Sequence, residues 1–143
     1  MIESQYPVGL DFAWVGRDEL GHVAAFITGG CGPIPETALW QVALSTSPEE
    51  TLLGFPVCGA ARLLVSYSNM QSFEDLATRG VFVYDWSDVH RVAVAETNRY
   101  QLVAAPANPL SVEQGSTFLG QSVGVVASSF HEQPALAVPG VQP

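Results

Sequence analysis

The chain contains no lysine. Its five basic residues are all arginines, set against 14 acidic residues for a formal net charge of −9. A nucleic-acid binder needs Lys and Arg to displace counterions from phosphates, so this balance argues against nucleic acid and for a basic partner. The same acidity would also keep a hydrophobic small domain soluble, which is its plainest role. Cysteine is scarce: Cys31 and Cys58 are the only two. That excludes a disulfide scaffold, and free thiols that fill space in the packing are expected. Long apolar runs are missing as well. Val81 to Tyr84 and Val123 to Ala127 are strand-sized, far short of the roughly 20 residues of a membrane helix, so no membrane span or membrane partner is expected. Met1 to Pro7 has no basic region followed by an apolar one, unlike a secretory signal, and a cytoplasmic location is expected.

What is present is a hydrophobic chain with a thin polar shell. Its 143 residues are 48% hydrophobic and 13% charged, which suits one domain with a core large enough to fold without staples. The expected fold class is α+β: a single domain over residues 1–133, mainly an antiparallel sheet with a few short helices packed on it. Residues 134–143 (PALAVPGVQP) are expected to be a fraying tail.

Local signals place the elements. Asp11 to Gly16 alternates, Arg17 to Gly21 carries a glycine-terminated turn, and His22 to Thr28 is apolar and β-leaning, so this stretch predicts an antiparallel hairpin. Gly29, Gly30 and Gly32 then loosen the backbone, and Pro33 and Pro35 lead into a helix over Glu36 to Leu44, with Leu39, Trp40, Ala43 and Leu44 at helical offsets. Ser47-Pro48-Glu49-Glu50 has the form of a capping box with proline at the first helical position. Arg62 to Tyr67 is apolar on both faces and predicts a central strand. Ser72 predicts a cap for a helix over Phe73 to Arg79, with acids in its first turn and Gly80 beyond its end. Val81 to Asp85 reads as a strand, Trp86 to Asp88 as a polar loop, and Val92 to Val94 and Tyr100 to Ala104 as two further segments joined by a turn at Thr97-Asn98-Arg99. Ser111 offers a cap for a short helix to Phe118, and Ser122 to Ser128 is a last strand.

Candidate chemistry is thin. Cys31, among glycines at a helix start, has the position of an activated thiolate, but no cysteine-enzyme signature accompanies it. The Gly29 to Pro33 corner also has the look of a phosphate cradle. It lacks both nucleotide-binding glycine patterns, and Pro33 and Pro35 remove two donating amides. Asp85, Asp88 and His90 offer metal-ligand types, yet no second His or Cys cluster completes a shell, and the aspartates serve equally as turn residues. No G-x-S-x-G elbow exposes a serine, so His22, His90 and His131 are read as surface or capping histidines. The sequence calls for no cofactor, no metal and no catalytic residue. The interaction candidate is Trp86 with Tyr84, Asp85 and Asp88, an aromatic anchor ringed by carboxylates. The competing role for Trp86 is inward packing at a strand end. Glu49, Glu50, Glu74 and Asp75, at helix starts, extend the acidic surface or simply cap.

The combination PVGLDFAWVGRDELGHVAAFITGGCGPIP, SFEDLATRGVFVYDWSDVHR and YQLVAAPANPLS resembles the immunity proteins of bacterial polymorphic toxin and type VI secretion systems, across roughly residues 6 to 127. The resemblance implies a non-enzymatic protein that binds a cognate toxin through an acidic face. A cytoplasmic antidote implies a toxin acting in the cytoplasm, and a nuclease with its basic substrate groove fits the charge. Two other classes stay open. One is a small-molecule-binding protein or enzyme using Gly29 to Pro33 with Cys31 and a histidine, which a deep pocket at Cys31 would favour. The other is a subunit that self-associates through an exposed sheet edge. Homodimerisation is compatible with all three.

Overall fold

A computed structural model describes residues 6–67, 69–87, 98–110 and 123–143. The expected hairpin is present. Strand β1 (Ala13–Asp18) and strand β2 (Val23–Ile27) pair antiparallel, with Ala13 opposite Ile27 and Arg17 opposite Val23. Gly21, at φ 88°, takes the left-handed turn position that the sequence reserves for glycine.

Strands β3 (Ala61–Leu63), β4 (Phe82–Ser87), β5 (Arg99–Pro106), β6 (Val125–Ala127) and β7 (Ala135–Leu136) complete a seven-stranded sheet in the order β3-β5-β4-β2-β1-β6. β7 shares the outer edge of β5 with β3, opposite Tyr100 and Gln101 rather than Ala104 to Pro106. Four pairings are antiparallel; β2 with β4 and β1 with β6 are parallel. Short helices pack on this sheet, so the fold is a small α+β domain.

Alternation along the strands divides the core in two. Trp14, Phe26, Phe82, Tyr84, Trp86 and Tyr100 point to one face, where Ile34, Phe130, Leu136 and Val138 cover them. Ala13, Val15, Val23, Ala25, Ile27 and Val83 point to the other. There Leu52 of helix α1 (Pro48–Leu53) and Phe73, Leu76 and Ala77 of helix α2 (Gln71–Ala77) cover them. Ser47 caps α1 as its sequence predicts, its hydroxyl accepting the Glu50 N–H at 3.2 Å.

The segment read as a helix from Glu36 is a 3₁₀ helix, Glu36–Ala43, and its three-residue repeat has a packing reason. It lies against the β1 edge. Ala38, Leu39 and Val42 reach one face of the sheet, Trp40 reaches the other, and Gln41 is buried against Val15.

Several expectations are corrected. Arg62 to Tyr67 is not a central strand: β3 is three residues long and sits at the end of the sheet, with Leu63 and Leu64 about 40% exposed. A two-sided apolar run reads as central, but here one edge and much of the side-chain surface have no strand beside them among the described residues. Ser72 does not cap α2, which starts one residue earlier; Asn69 Oδ1 accepts the Gln71 N–H at 3.1 Å instead. Arg79 lies past the helix, with its Nη1 donating back to the Asp75 carbonyl at 2.7 Å. The 134–143 tail is docked through β7 and through paired hydrogen bonds between Ile34 and Val141 (3.0 and 2.8 Å). Leu136 and Val138 drive that docking by burying their side chains. The expected Val92 to Val94 segment and the Ser111 to Phe118 helix lie outside the described residues.

Candidate functional site

The glycine corner after β2 is a clamped turn. Gly29 and Gly30 have φ of 61° and 84°, values at which any side chain would be strained. All four of its amides donate within the protein. Gly29 N–H goes to Asp11 Oδ1 at 2.8 Å, Gly30 to Thr28 Oγ1 at 3.2 Å, and Cys31 and Gly32 to the Thr28 carbonyl at 3.1 and 2.8 Å. With its donors engaged, the corner does not have the open amide array that a phosphate cradle needs.

Tyrosine hydroxyls hold the same corner from below. Tyr6 donates to the Gly32 carbonyl at 2.6 Å and Tyr100 to the Pro33 carbonyl at 2.9 Å, while Trp14 Nε1 donates to the Tyr100 oxygen at 3.2 Å. A Cβ at Gly32 would stand 2.5 Å from that Tyr100 oxygen, so only glycine fits. Burial pushes the phenol of Tyr6 up, with Cys31 and Asp11 adding to it. Burial likewise holds Tyr100 far above the ordinary tyrosine range, against the lowering effect of the Trp14 hydrogen bond. These hydroxyls therefore stay protonated and act as fixed donors.

Both cysteines are free and exposed, which corrects the expectation that they fill the core. Cys58 Sγ reaches the Asn108 carbonyl, at 3.5 Å. Cys31 lies close enough to Tyr6 to push its phenol up. A shallow groove of about 350 Å³ lies near the corner, lined by Pro33, Trp86, Asn98, Val138, Pro139 and Gln142 among others, and Cys31 does not line it.

The aromatic anchor expected on a surface loop is interior. Tyr84 is fully buried, with its hydroxyl donating to the Gln133 carbonyl at 2.6 Å, and Trp86 is 5% exposed, edge-on to Tyr100 at 5.2 Å between ring centroids. Asp85, 4% exposed, is buried on the opposite face, in register with Ile27 and Gln101. The reason is that β4 runs on through Trp86 to Ser87, paired with β5 to its end. Asp88 and His90 lie outside the described residues.

One grouping escaped the sequence reading. Asp85 lies opposite Gln101, and Ser87 opposite Arg99, which makes a polar row across β4 and β5 on the helix-covered side of the sheet. Asp85, Ser87 and Gln101 are buried, and each has an interaction partner. The signal was the alternate spacing of polar residues in YDWSD and NRYQL, visible only once the two strands are known to pair.

The helix acids lie on two helices that touch. α1 and α2 pack against each other on one face. Glu50 and Glu74 are exposed there, and Glu49 and Asp75 half-buried. Burial pushes the Glu49 carboxyl above its ordinary value, and the nearby Asp11 pushes it further. That coupling places Glu49 near the acid at the glycine corner. Asp75 Oδ1 accepts from Gln71 Nε2 at 2.8 Å. Two arginines turn inward: Arg17 Nε donates to the Val123 carbonyl at 2.7 Å and Arg79 Nε to the Phe55 carbonyl at 2.9 Å, whereas Arg62 is exposed.

Among the described residues no helix is long and apolar enough to cross a membrane, and no group of three or more His, Cys, Asp and Glu is arranged to hold a metal. No family model, curated protein or solved structure matches this chain.

Proposed function

We propose that this protein is a non-enzymatic immunity protein that neutralises a cytoplasm-acting toxin by direct binding, with the acidic face of α1 and α2 as its contact surface. The observation that carries the reading is the excess of exposed carboxylates over exposed arginines among the described residues, where Arg62 is exposed. Arg17 and Arg79 turn guanidinium donors inward onto backbone carbonyls, while Asp11, Glu36, Glu50 and Glu74 present carboxylates to solvent. A basic groove, such as that of a nuclease, would meet this face as it meets phosphates, and the charge would accelerate encounter.

The test is co-expression with the neighbouring open reading frames and capture of the stable partner, followed by a viability assay. A partner that kills cells alone and is harmless in the presence of this protein supports immunity. Capture of no partner, or of a harmless one, overturns it.

A further inference from the structure

We infer that His22 and His131 form an open, two-histidine site for a single divalent transition-metal ion, with Asp18 as the carboxylate that orients His22. This reading is independent of the toxin proposal, since it rests on a different corner of the molecule.

The corner is built by Asp18, a fully buried carboxylate at the end of β1. Its Oδ1 accepts the N–H groups of Leu20 at 3.0 Å and His22 at 2.9 Å, closing the hairpin turn. Its Oδ2 accepts the Phe130 N–H at 3.0 Å, which anchors the 3₁₀ turn Phe130–Glu132 beside the hairpin. One residue thus fixes the backbones on which both histidines sit, 109 positions apart in the chain.

The imidazoles meet over Phe82. Their ring centroids are 5.3 Å apart with an interplanar angle of 81°, and they stand 5.8 Å (His22) and 4.9 Å (His131) from the Phe82 ring. A metal held about 2.0–2.1 Å from one nitrogen of each of two imidazoles, at a tetrahedral angle, places the ring centroids about 5 Å apart. The pair already has that spacing.

His22 supplies the second observation. Its Nδ1 is buried and has no hydrogen-bond partner among the described residues, although Asp18 Oδ2 lies 3.5 Å away. Nδ1 faces the carboxylate, so Nε2 faces away from it. A metal on Nε2 fixes the proton on Nδ1 and makes that N–H a stronger donor toward Asp18, the carboxylate–histidine–metal relay found behind metal-bound imidazoles. His131, exposed, stands beside His22 with its ring against Phe82. Glu19 and Glu132, exposed and adjacent to Asp18 and His131 in sequence, add negative potential around it. Since no third described protein ligand is arranged there, water completes the shell, and zinc, nickel and copper(II) are the ions that two imidazoles suit.

The experiment titrates the full chain with zinc sulfate and with nickel chloride at pH 7.5, read by calorimetry and by NMR of the imidazole nitrogens. One ion per chain is expected, moving the ring signals of both His22 and His131, with the His22 Nδ1 proton shifting downfield. His131→Ala, at an exposed position, should keep the thermal midpoint and weaken binding at least tenfold. Asp18→Asn should weaken it about tenfold or more, and if that variant does not fold, the His22 Nδ1 shift in the unmodified protein reports the same contact. Binding that leaves His131→Ala unaffected, or moves the His90 signals instead, overturns the proposal, as does the absence of binding at millimolar metal.

Discussion

The side-chain amide of Gln41 satisfies both backbone groups of Val15: the Val15 N–H donates to Gln41 Oε1 at 2.7 Å, and Gln41 Nε2 donates to the Val15 carbonyl at 2.8 Å. β6 pairs with β1 only at Arg17 and Asp18. Gln41 therefore stands in for a strand where β6 does not reach. Gln41→Ala leaves a buried donor and a buried acceptor without partners and should cost about 2–4 kcal/mol in urea unfolding. Gln41→Glu keeps the acceptor and sets a carboxylate against the Val15 carbonyl, so its loss should shrink in acid, where the protonated group donates. A loss below about 0.5 kcal/mol for Gln41→Ala, the scale of an ordinary surface change, would rule out this role.

Glu49 makes a pH-dependent cost. Its folded carboxyl titrates above the unfolded one, chiefly through burial and then through Asp11. Below the unfolded value both states are protonated and nothing is lost. As pH rises through the raised folded value, ionisation is opposed only in the fold, so stability falls and stays lower at neutral pH. Glu49→Gln should therefore raise the unfolding midpoint at pH 7 relative to the unmodified chain, with the gain vanishing near pH 4. A gain that persists undiminished in acid would refute the linkage.

The acids divide into replaceable and irreplaceable ones. Neutralising the exposed Glu50 and Glu74 to glutamine should change stability by no more than about 1 kcal/mol each, the scale of a lost helix-dipole interaction. It should slow association with a basic partner at low salt, and the difference should close as salt rises. Asp85→Lys puts a cation into a buried polar row and should prevent folding or cost more than about 4 kcal/mol. Circular dichroism separates the two groups, and a folded Asp85→Lys protein of normal stability would contradict the burial argument.

Removing residues 134–143 should destabilise the domain by at least about 3 kcal/mol, because Leu136 and Val138 each leave a buried site. The deletion also uncovers Ile34, which loses its paired hydrogen bonds to Val141. The near-UV circular dichroism of Trp86 and Tyr100 should weaken with it, since Val138 packs in the same aromatic cluster. A truncated chain within about 1 kcal/mol of the intact one would show that the tail contributes little.

The sequence by itself determined the parts whose causes lie within a few residues. The hairpin followed from alternation broken by a glycine-terminated turn, the start of α1 from Ser47 and Pro48, and the left-handed corner from Gly29 and Gly30. Each is decided by local backbone sterics or by a side chain bonding its own neighbourhood. Only the tertiary structure decided which strand would be central, because that depends on which segments arrive alongside. β3 became an edge despite its two-sided apolar pattern, and β4 ran on to carry Trp86 inward because β5 extended far enough to pair with it. The tail docked for the same reason: Leu136 and Val138 found an uncovered aromatic face that no local reading could supply. Gln41 with Val15, and Asp18 with Phe130, are contacts between residues 26 and 112 positions apart. Local propensity is blind to such distances, and burial across them placed both the acidic helix face and the histidine corner.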